Sequence, residues 1–286
     1  MGSEPLINAI AKIDWLDAIA DPLQPAVRNL LGRELKNALH GTWLGHPLHP
    51  VLTDVPVGAW TAALVLDVLG ADDAADIAIG VGLLGAIGSA VTGLTDWSET
   101  DGRGRKVGVM HAVLNVVSTG LYATSLAMRR SRESRTSGVA LSTLGYIIAS
   151  GAAYLGGHLV YGEQIGVDHT ATADNKKPAK FTKIMADADL REDKPTYAEA
   201  DGVGIVLVKR NGRIFALTNT CPHLGGPLAE GKLVGDAIQC PWHQSELALD
   251  DGHVVNGPTT FAARCFDVRV RSGQIEVRAA NKQAAQ

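Results

Sequence analysis

The first part of the chain alternates long uncharged runs with short charged clusters. Ile77 to Thr95 carries no charge, Val107 to Met128 is interrupted by His111 alone, and Gly138 to Gly157 is again uncharged and ends just before His158. Val51 to Gly70 is a weaker fourth run, with Asp54, Pro56 and Asp67 inside it. Runs of about 20 apolar residues match the length a helix needs to cross a bilayer. The alternative is a soluble bundle of buried helices, but three such runs between Ile77 and Gly157 are hard to bury in water. Small residues at four-residue spacing, Gly85/Ser89/Gly93 and Ala152/Gly156, suit helices that approach closely in lipid.

After about residue 180 the pattern shortens to β-rich runs around turn residues. VGIVLVKRNGRIFALTN reads as a hairpin about Asn211-Gly212, KLVGDAIQC as one about Gly235-Asp236, and DVRVRSGQIEV as one about Ser272-Gly273. The expected architecture is an all-α transmembrane four-helix bundle followed by an all-β domain, a small antiparallel sandwich or barrel. The expected boundaries are an amphipathic interfacial segment at 1–45, the bundle at 46–161, a polar linker at 162–180 and the β domain at 181–286. In the first segment Val27, Leu30, Leu31, Leu35 and Leu39 share one helical face, Arg28, Arg33 and Lys36 lie off it, and Gly41 ends the helix. The linker VDHTATADNKKPAK reads as a coil of roughly 20–25 Å reach.

Charge refines this picture. The net charge is −4, so no nucleic-acid footprint is present. Four spans place both termini on one side of the bilayer. The segments on that side carry Lys12, Arg28, Arg33, Lys36, Arg103, Arg105, Lys106, Lys176, Lys177, Lys180 and Lys183, and the other side has ADDAAD and RRSRESR. The excess of Lys and Arg predicts cytoplasmic termini, with RRSRESR as the opposing evidence. The chain opens without a signal-peptide pattern, which agrees.

Of the three Cys, two lie in CPHLGGPLAEGKLVGDAIQCPWH, Cys221 to His243. The pattern is C-x-H, a spacer from Leu224 to Gln239, then C-x-x-H, so each loop offers one sulfur and one nitrogen. Zinc fingers pair Cys with Cys and His with His. The interleaved order suits a [2Fe–2S] centre with two-His ligation, Cys221 and Cys240 on one iron and His223 and His243 on the other. A zinc ribbon is the alternative. Cys265, in FAARCFDVRV, reads as a buried strand residue.

The region from about 181 to 279 resembles a Rieske ferredoxin domain of the oxygenase-associated type, on CPHLGGPL, CPWHQS and DDG…NGP. The resemblance implies that a third loop, Asn256-Gly257-Pro258, covers the cluster, and that the redox partner is a reductase or oxygenase component. Gly226 and Trp242 stand where Rieske proteins of quinol:cytochrome c reductases carry a disulfide, and Leu247 stands where high-potential members place a Tyr. Both departures imply a potential toward the low end of the Rieske range, nearer about −150 mV than +300 mV. Gln244 replaces the family's usual Gly.

A second constellation lies in the apolar half. His46 and His49 sit in HPLHP before the first span, His111 lies one turn inside the third, and His158 ends the fourth. All fall at the membrane face that carries the termini. His111, Asn115, Ser118, Tyr122 and Ser125 share a helical face, as do Ser142, Tyr146, Ser150, Tyr154, His158 and Tyr161. Polar groups inside a membrane bundle mark function by default. His46, His49, His111 and His158 are therefore a candidate site for haem b, a transition metal or a quinone, with a structural role as the alternative. His40, His169 and His253 read as surface residues. GHPLHPVLTDVPVGAW and DWSETDGRGRKVGVMHAVLN, within about 40–161, resemble small four-span bacterial membrane domains opening with H-P-x-H-P, which implies the bacterial inner membrane. The expected function is a membrane-anchored Rieske electron-transfer protein. It passes one electron between a soluble partner and the bundle, as an electron carrier or oxidoreductase component. A tethered ferredoxin or redox sensor with structural histidines is the alternative, and an oxygenase catalytic subunit is disfavoured because the chain ends soon after the motif.

Overall fold

The computed structural model describes residues 4–171 and 178–280. Seven α-helices come first: α1 (Glu4–Ala11), α2 (Trp15–Leu30), α3 (Arg33–His40), α4 (Leu48–Val68), α5 (Asp72–Trp97), α6 (Gly102–Met128) and α7 (Arg135–Tyr161). Ten short strands follow among the described residues: β1 (Thr182–Ala186), β2 (Thr196–Ala200), β3 (Val203–Arg210), β4 (Arg213–Thr218), β5 (Lys232–Val234), β6 (Ala237–Gln239), β7 (Glu246–Ala248), β8 (Val254–Asn256), β9 (Phe266–Arg271) and β10 (Gln274–Ala279). The chain folds as two compact units, one of Met1–Gly32 with Leu48–Ile165, the other of Arg33–Pro47 with Gly166–Gln286.

In the helical unit, α4 to α7 are each long and apolar enough to cross a membrane. Their outward faces are apolar: Ile77, Leu84, Ile87, Val116 and Ile147 are 62–73% exposed. Such a surface has no place in water, and the soluble-bundle alternative loses its basis. The small residues do what their spacing predicts. A Cβ on Gly85 would meet Val55 at 2.6 Å, one on Gly93 the His49 ring at 2.6 Å, and one on Gly156 His111 at 3.1 Å. On α6, Ser118 Oγ donates to Gly145 O (2.8 Å) and Ser125 Oγ to Gly138 O (2.6 Å), and Tyr122 stacks on Trp60 of α4 at 4.1 Å. The α6 polar face thus turns inward as expected. The α7 one does so only in part, because Ser150, Tyr154 and Tyr161 are exposed and the glycines Gly138 and Gly145 take the contact with α6.

At the loop end of the bundle, Arg129 is fully buried among Asp67, Asp76, Ser125 and Ser142, and Arg135 pairs with Asp72 and Asp76. Two of the four arginines of RRSRESR are therefore bound to the acids of the α4 end and the ADDAAD segment.

The expected interfacial segment at 1–45 is divided instead at Gly32. Helices α1 and α2 dock on the bundle through Ile7, Ile10, Leu16 and Ala20 against Val107, Val109 and Leu155. Asp17 and Asp21 pair with Arg105 and Lys106, and Gln24 donates to Thr100 O at 2.7 Å. The apolar face read across residues 27–39 is broken by extended backbone at Leu31: Val27 is buried and Leu30 is 82% exposed. Packing and charge complementarity against α6 override that stripe. Helix α3 belongs to the other unit and ends, as predicted, at Gly41, whose φ is 84°.

The β unit has three antiparallel sheets, ordered β1-β10-β9, β2-β3-β4 and β5-β6-β7-β8. The three predicted hairpins form as β3 (Val203–Arg210)/β4 (Arg213–Thr218), β5 (Lys232–Val234)/β6 (Ala237–Gln239) and β9 (Phe266–Arg271)/β10. Asn211-Gly212 and Ser272-Gly273 both hold positive φ at each turn position, the geometry of type I′ hairpins. One core gathers Ile205, Leu207, Ile275 and Val277. The second gathers Val206, Val208, Leu217, Ile238 and Leu247 around Cys221 and Cys240. Part of the expected linker is ordered on this unit: His169 N–H donates to Pro222 O at 3.1 Å and Thr170 is buried. Residues 172–177 of that linker lie outside the described residues.

Candidate functional site

Two loops bring the motif together. The first follows β4, and the second is the tip between β6 and β7 (Glu246–Ala248). Each loop is closed by its own backbone. Cys221 N–H donates to Gly226 O (2.8 Å) and Gly225 N–H to Cys221 O (3.0 Å), with Gly225 at φ 80°. In the second, Cys240 N–H donates to Ser245 O (2.8 Å) and Gln244 N–H to Cys240 O (3.2 Å). Gln244 has φ 62°, which explains why a glycine is usual there.

Cys221 and Cys240 are buried, at 1% and 2% exposure, and their thiols are hydrogen-bonded to each other. The amides of His223 and Leu224 point at the Cys221 sulfur, and those of Trp242 and His243 at the Cys240 sulfur. The hydrogen bond between the thiols splits the pair: it and burial push the Cys221 thiol up, and the same bond pulls the Cys240 thiol down, so Cys240 is the readier of the two to become a thiolate. Burial, reinforced by neighbouring His243, His40 and His169, depresses His223 to about 3, so its ring is neutral and has a lone pair to give. The two half-buried imidazoles meet edge to face, with Nδ1 atoms 3.3 Å apart and centroids 4.8 Å apart.

This donor set fits a [2Fe–2S] centre: two buried sulfurs, two converging ring nitrogens and amides aimed at the sulfurs. The space is also cut for it. A Cβ on Gly226 would lie 2.8 Å from Cys240 Sγ and 3.1 Å from the Trp242 ring. Gly226 and Trp242, the positions read as replacing a disulfide, are thus neighbours, and Leu247 is fully buried in the core beneath. The third loop is held to the second by Thr259 N–H on Ser245 Oγ (3.1 Å).

The membrane histidines divide. His49 and His111 face each other with centroids 6.5 Å apart and perpendicular planes. His49 Nδ1 donates to Ser89 O (2.9 Å) and His111 Nδ1 to Ala152 O (2.8 Å). These bonds fix the tautomer and leave the lone pair on each Nε2. His111 Nε2 accepts from Asn115 Nδ2 at 3.1 Å. His158 was expected to join them, but its Nε2 lies 3.2 Å from Glu163 Oε1, which also binds Arg103 at 2.7 Å. The chain turns back immediately after α7, with Glu163 N–H on His158 O (3.0 Å), and that turn places the carboxylate on the ring. His46 is exposed, bonded to Pro47 O (3.1 Å), and belongs to the β unit.

His40, read as a surface residue, is 3% exposed, because α3 packs into the β unit. It and Asn37 line the third loop, with Asn37 Oδ1 accepting from Gly257 N–H at 2.9 Å. No spacing in the sequence marks either residue, since the whole membrane bundle lies between this segment and the motif along the chain.

Comparison with known proteins agrees with both halves. Residues 180–267 match the Rieske [2Fe-2S] domain family, and residues 45–169 match the family described as "Predicted membrane protein (DUF2231)". Apoptosis-inducing factor 3 of Homo sapiens is 34% identical over 98 residues, covering 34% of this chain but 16% of that protein. Ferredoxin CarAc of Metapseudomonas resinovorans is 30% identical over 98 residues, 34% of this chain and 92% of its own length. The anthranilate 1,2-dioxygenase ferredoxin subunit of Burkholderia cepacia is 27% identical over 99 residues, 35% of this chain and 92% of its own. With its cluster motif and its four membrane-capable helices, the chain belongs to the Rieske [2Fe-2S] family and is a multi-pass membrane protein whose apolar half is a DUF2231 domain.

Proposed function

We propose that Cys221, His223, Cys240 and His243 hold the [2Fe-2S] cluster, and that the protein passes one electron between a soluble redox partner and a centre in its own membrane bundle. The convergence of two buried thiols and two facing imidazoles carries the first half of this reading. The cluster supplies a one-electron couple. The protein's part is to keep the His223 imidazole neutral, to turn four amides toward the sulfurs, and to exclude water with the apolar core behind Cys221 and Cys240. The partner is a reductase or an oxygenase component; the Burkholderia relative is named as the ferredoxin subunit of a dioxygenase.

The bundle centre is His49 with His111, and its ligand is a transition metal or haem b rather than a quinone. A quinone carbonyl needs a donor, but both Nδ1 hydrogens are already given to backbone carbonyls. What remains is a pair of Nε2 lone pairs with carbonyl-anchored rings, the second-sphere arrangement of a metal ligand. Asn115 can release His111 Nε2 and keep its bond to His111 O (2.9 Å). The membrane bundle is the helical unit and the cluster domain is the β unit, α3 included, which faces the cytoplasm of a bacterial inner membrane. Binding of the Arg129 and Arg135 side chains by acids supports this orientation against the RRSRESR count.

The test is a redox titration of the full protein in lipid nanodiscs, with metal and haem analysis. His49→Ala and His111→Ala are each expected to lose the second centre and keep the cluster spectrum. If both keep full electron exchange and only melt earlier, the histidines are structural and the protein is a tethered ferredoxin.

A further inference from the structure

The segment just before the first span, outside the matched Rieske region, is built into the cluster domain. Arg33 at the start of α3 forms an ion pair with Glu246 of β7, a side chain 5% exposed that also accepts from Gln239 Nε2 at 2.9 Å. One turn on, Asn37 Oδ1 receives the Gly257 amide at 2.9 Å. At the helix end His40 is buried, and the chain closes with Thr42 N–H and Gly41 N–H on Asn37 O, both at 3.2 Å. Gly257 is the floor of this contact. A Cβ there would stand 3.2 Å from Thr42, 3.3 Å from Asn37 Oδ1 and 3.5 Å from His40. Gly257 follows Asn256 in the third loop, and Thr259 of the same loop is tied to Ser245, just past His243. A continuous path of packed groups thus leads from α3 to the second ligand loop.

We infer that α3 is a clamp on the cluster, in which Asn37 and His40 are positioning residues that hold the third loop closed. This rests on the proposal that the four motif residues bind the cluster. Asn37 satisfies a backbone donor that packing shields from water, and such a donor left without an acceptor destabilises the closed loop. His40 fills the volume between α3 and the loop. Reduction adds negative charge to the centre, so water admitted beside it favours the reduced form.

The experiment uses the full-length protein carrying Asn37→Ala, Asn37→Asp, His40→Ala or His40→Gln. It reads iron and sulfide content, the rate of iron release to a chelator, and the midpoint potential. Asn37→Ala is expected to assemble the cluster and to release iron about tenfold faster. Asn37→Asp keeps the acceptor and is expected to behave as wild type. His40→Ala is expected to raise the midpoint potential, with His40→Gln closer to wild type. Wild-type release from Asn37→Ala, or release from Asn37→Asp as fast as from Asn37→Ala, would overturn the clamp. Should Asn37→Ala not fold, an unchanged potential in both His40 variants would overturn it. Wild-type protein that assembles no cluster would instead refute the ligand assignment.

Discussion

Replacing Arg129 by Met tests whether the charged cluster at the loop end of the bundle is a structural clasp. The guanidinium grips Asp67 in parallel, Nη1 on Oδ1 and Nη2 on Oδ2, both at 2.6 Å. It also reaches Ser142 Oγ at 2.7 Å and Ser125 Oγ at 3.0 Å. Asp76 keeps Arg135 at 2.9 Å, so the loss falls on Asp67, whose side chain is 4% exposed. Removing one partner of a buried ion pair costs about 3–5 kcal/mol, because the remaining charge is desolvated without compensation. Adding Asp67→Leu removes that charge, and the double variant should recover at least about 2 kcal/mol of the loss. Unfolding in detergent by SDS or heat, followed by helical circular dichroism, measures both. The visible absorption of the cluster reports the β unit separately. A loss below roughly 1 kcal/mol in Arg129→Met, or simple additivity in the double variant, would refute the clasp.

Other outcomes follow from the site. Gly226→Ala places a methyl 2.8 Å from Cys240 Sγ and should cost the loaded domain about 1–3 kcal/mol, read as earlier thermal bleaching of the cluster; unchanged bleaching would contradict the packing. Gln244→Gly relieves a left-handed residue worth roughly 1–2 kcal/mol but adds chain entropy, so a gain below about 1 kcal/mol with an unchanged spectrum is expected, and a clear loss would refute the strain argument. Protein-film voltammetry should place the midpoint in the negative range, and a value above roughly +100 mV would refute the low-potential assignment. His158→Gln should leave any metal bound at His49 and His111 in place, because His158 is paired with Glu163; loss of that metal would restore His158 to the site.

The fold was legible where a pattern is local. Uncharged runs located the four long helices, and Asn-Gly and Ser-Gly pairs located their hairpins. The motif brought both thiols and both imidazoles together, since four candidate ligands confined between Cys221 and His243 leave few alternatives. What escaped depends on contacts distant in sequence. The stripe from Val27 to Leu39 looks continuous, yet Asp17 and Asp21 bind Arg105 and Lys106 and draw the first part to the bundle, while Asn37 bonds to Gly257 and His40 is buried in the β unit. The face of α7 was misread for a related reason. Its Gly138 and Gly145 let α6 approach, and backbone contact outranks a line of hydroxyls as the buried side. His158 could be placed by depth but not by partner, because the turn that brings Glu163 back to it has no sequence signature.

The most direct test of the account is the electron paramagnetic resonance of the dithionite-reduced, full-length protein, together with iron, zinc and labile-sulfide analysis after anaerobic purification. Ligation by Cys221, His223, Cys240 and His243 predicts iron and sulfide in equal amounts and the signal of a [2Fe–2S] centre with two-His ligation, present in wild type and absent from Cys221→Ser and His223→Cys. Stoichiometric zinc without sulfide, or a signal that survives both substitutions, would contradict it.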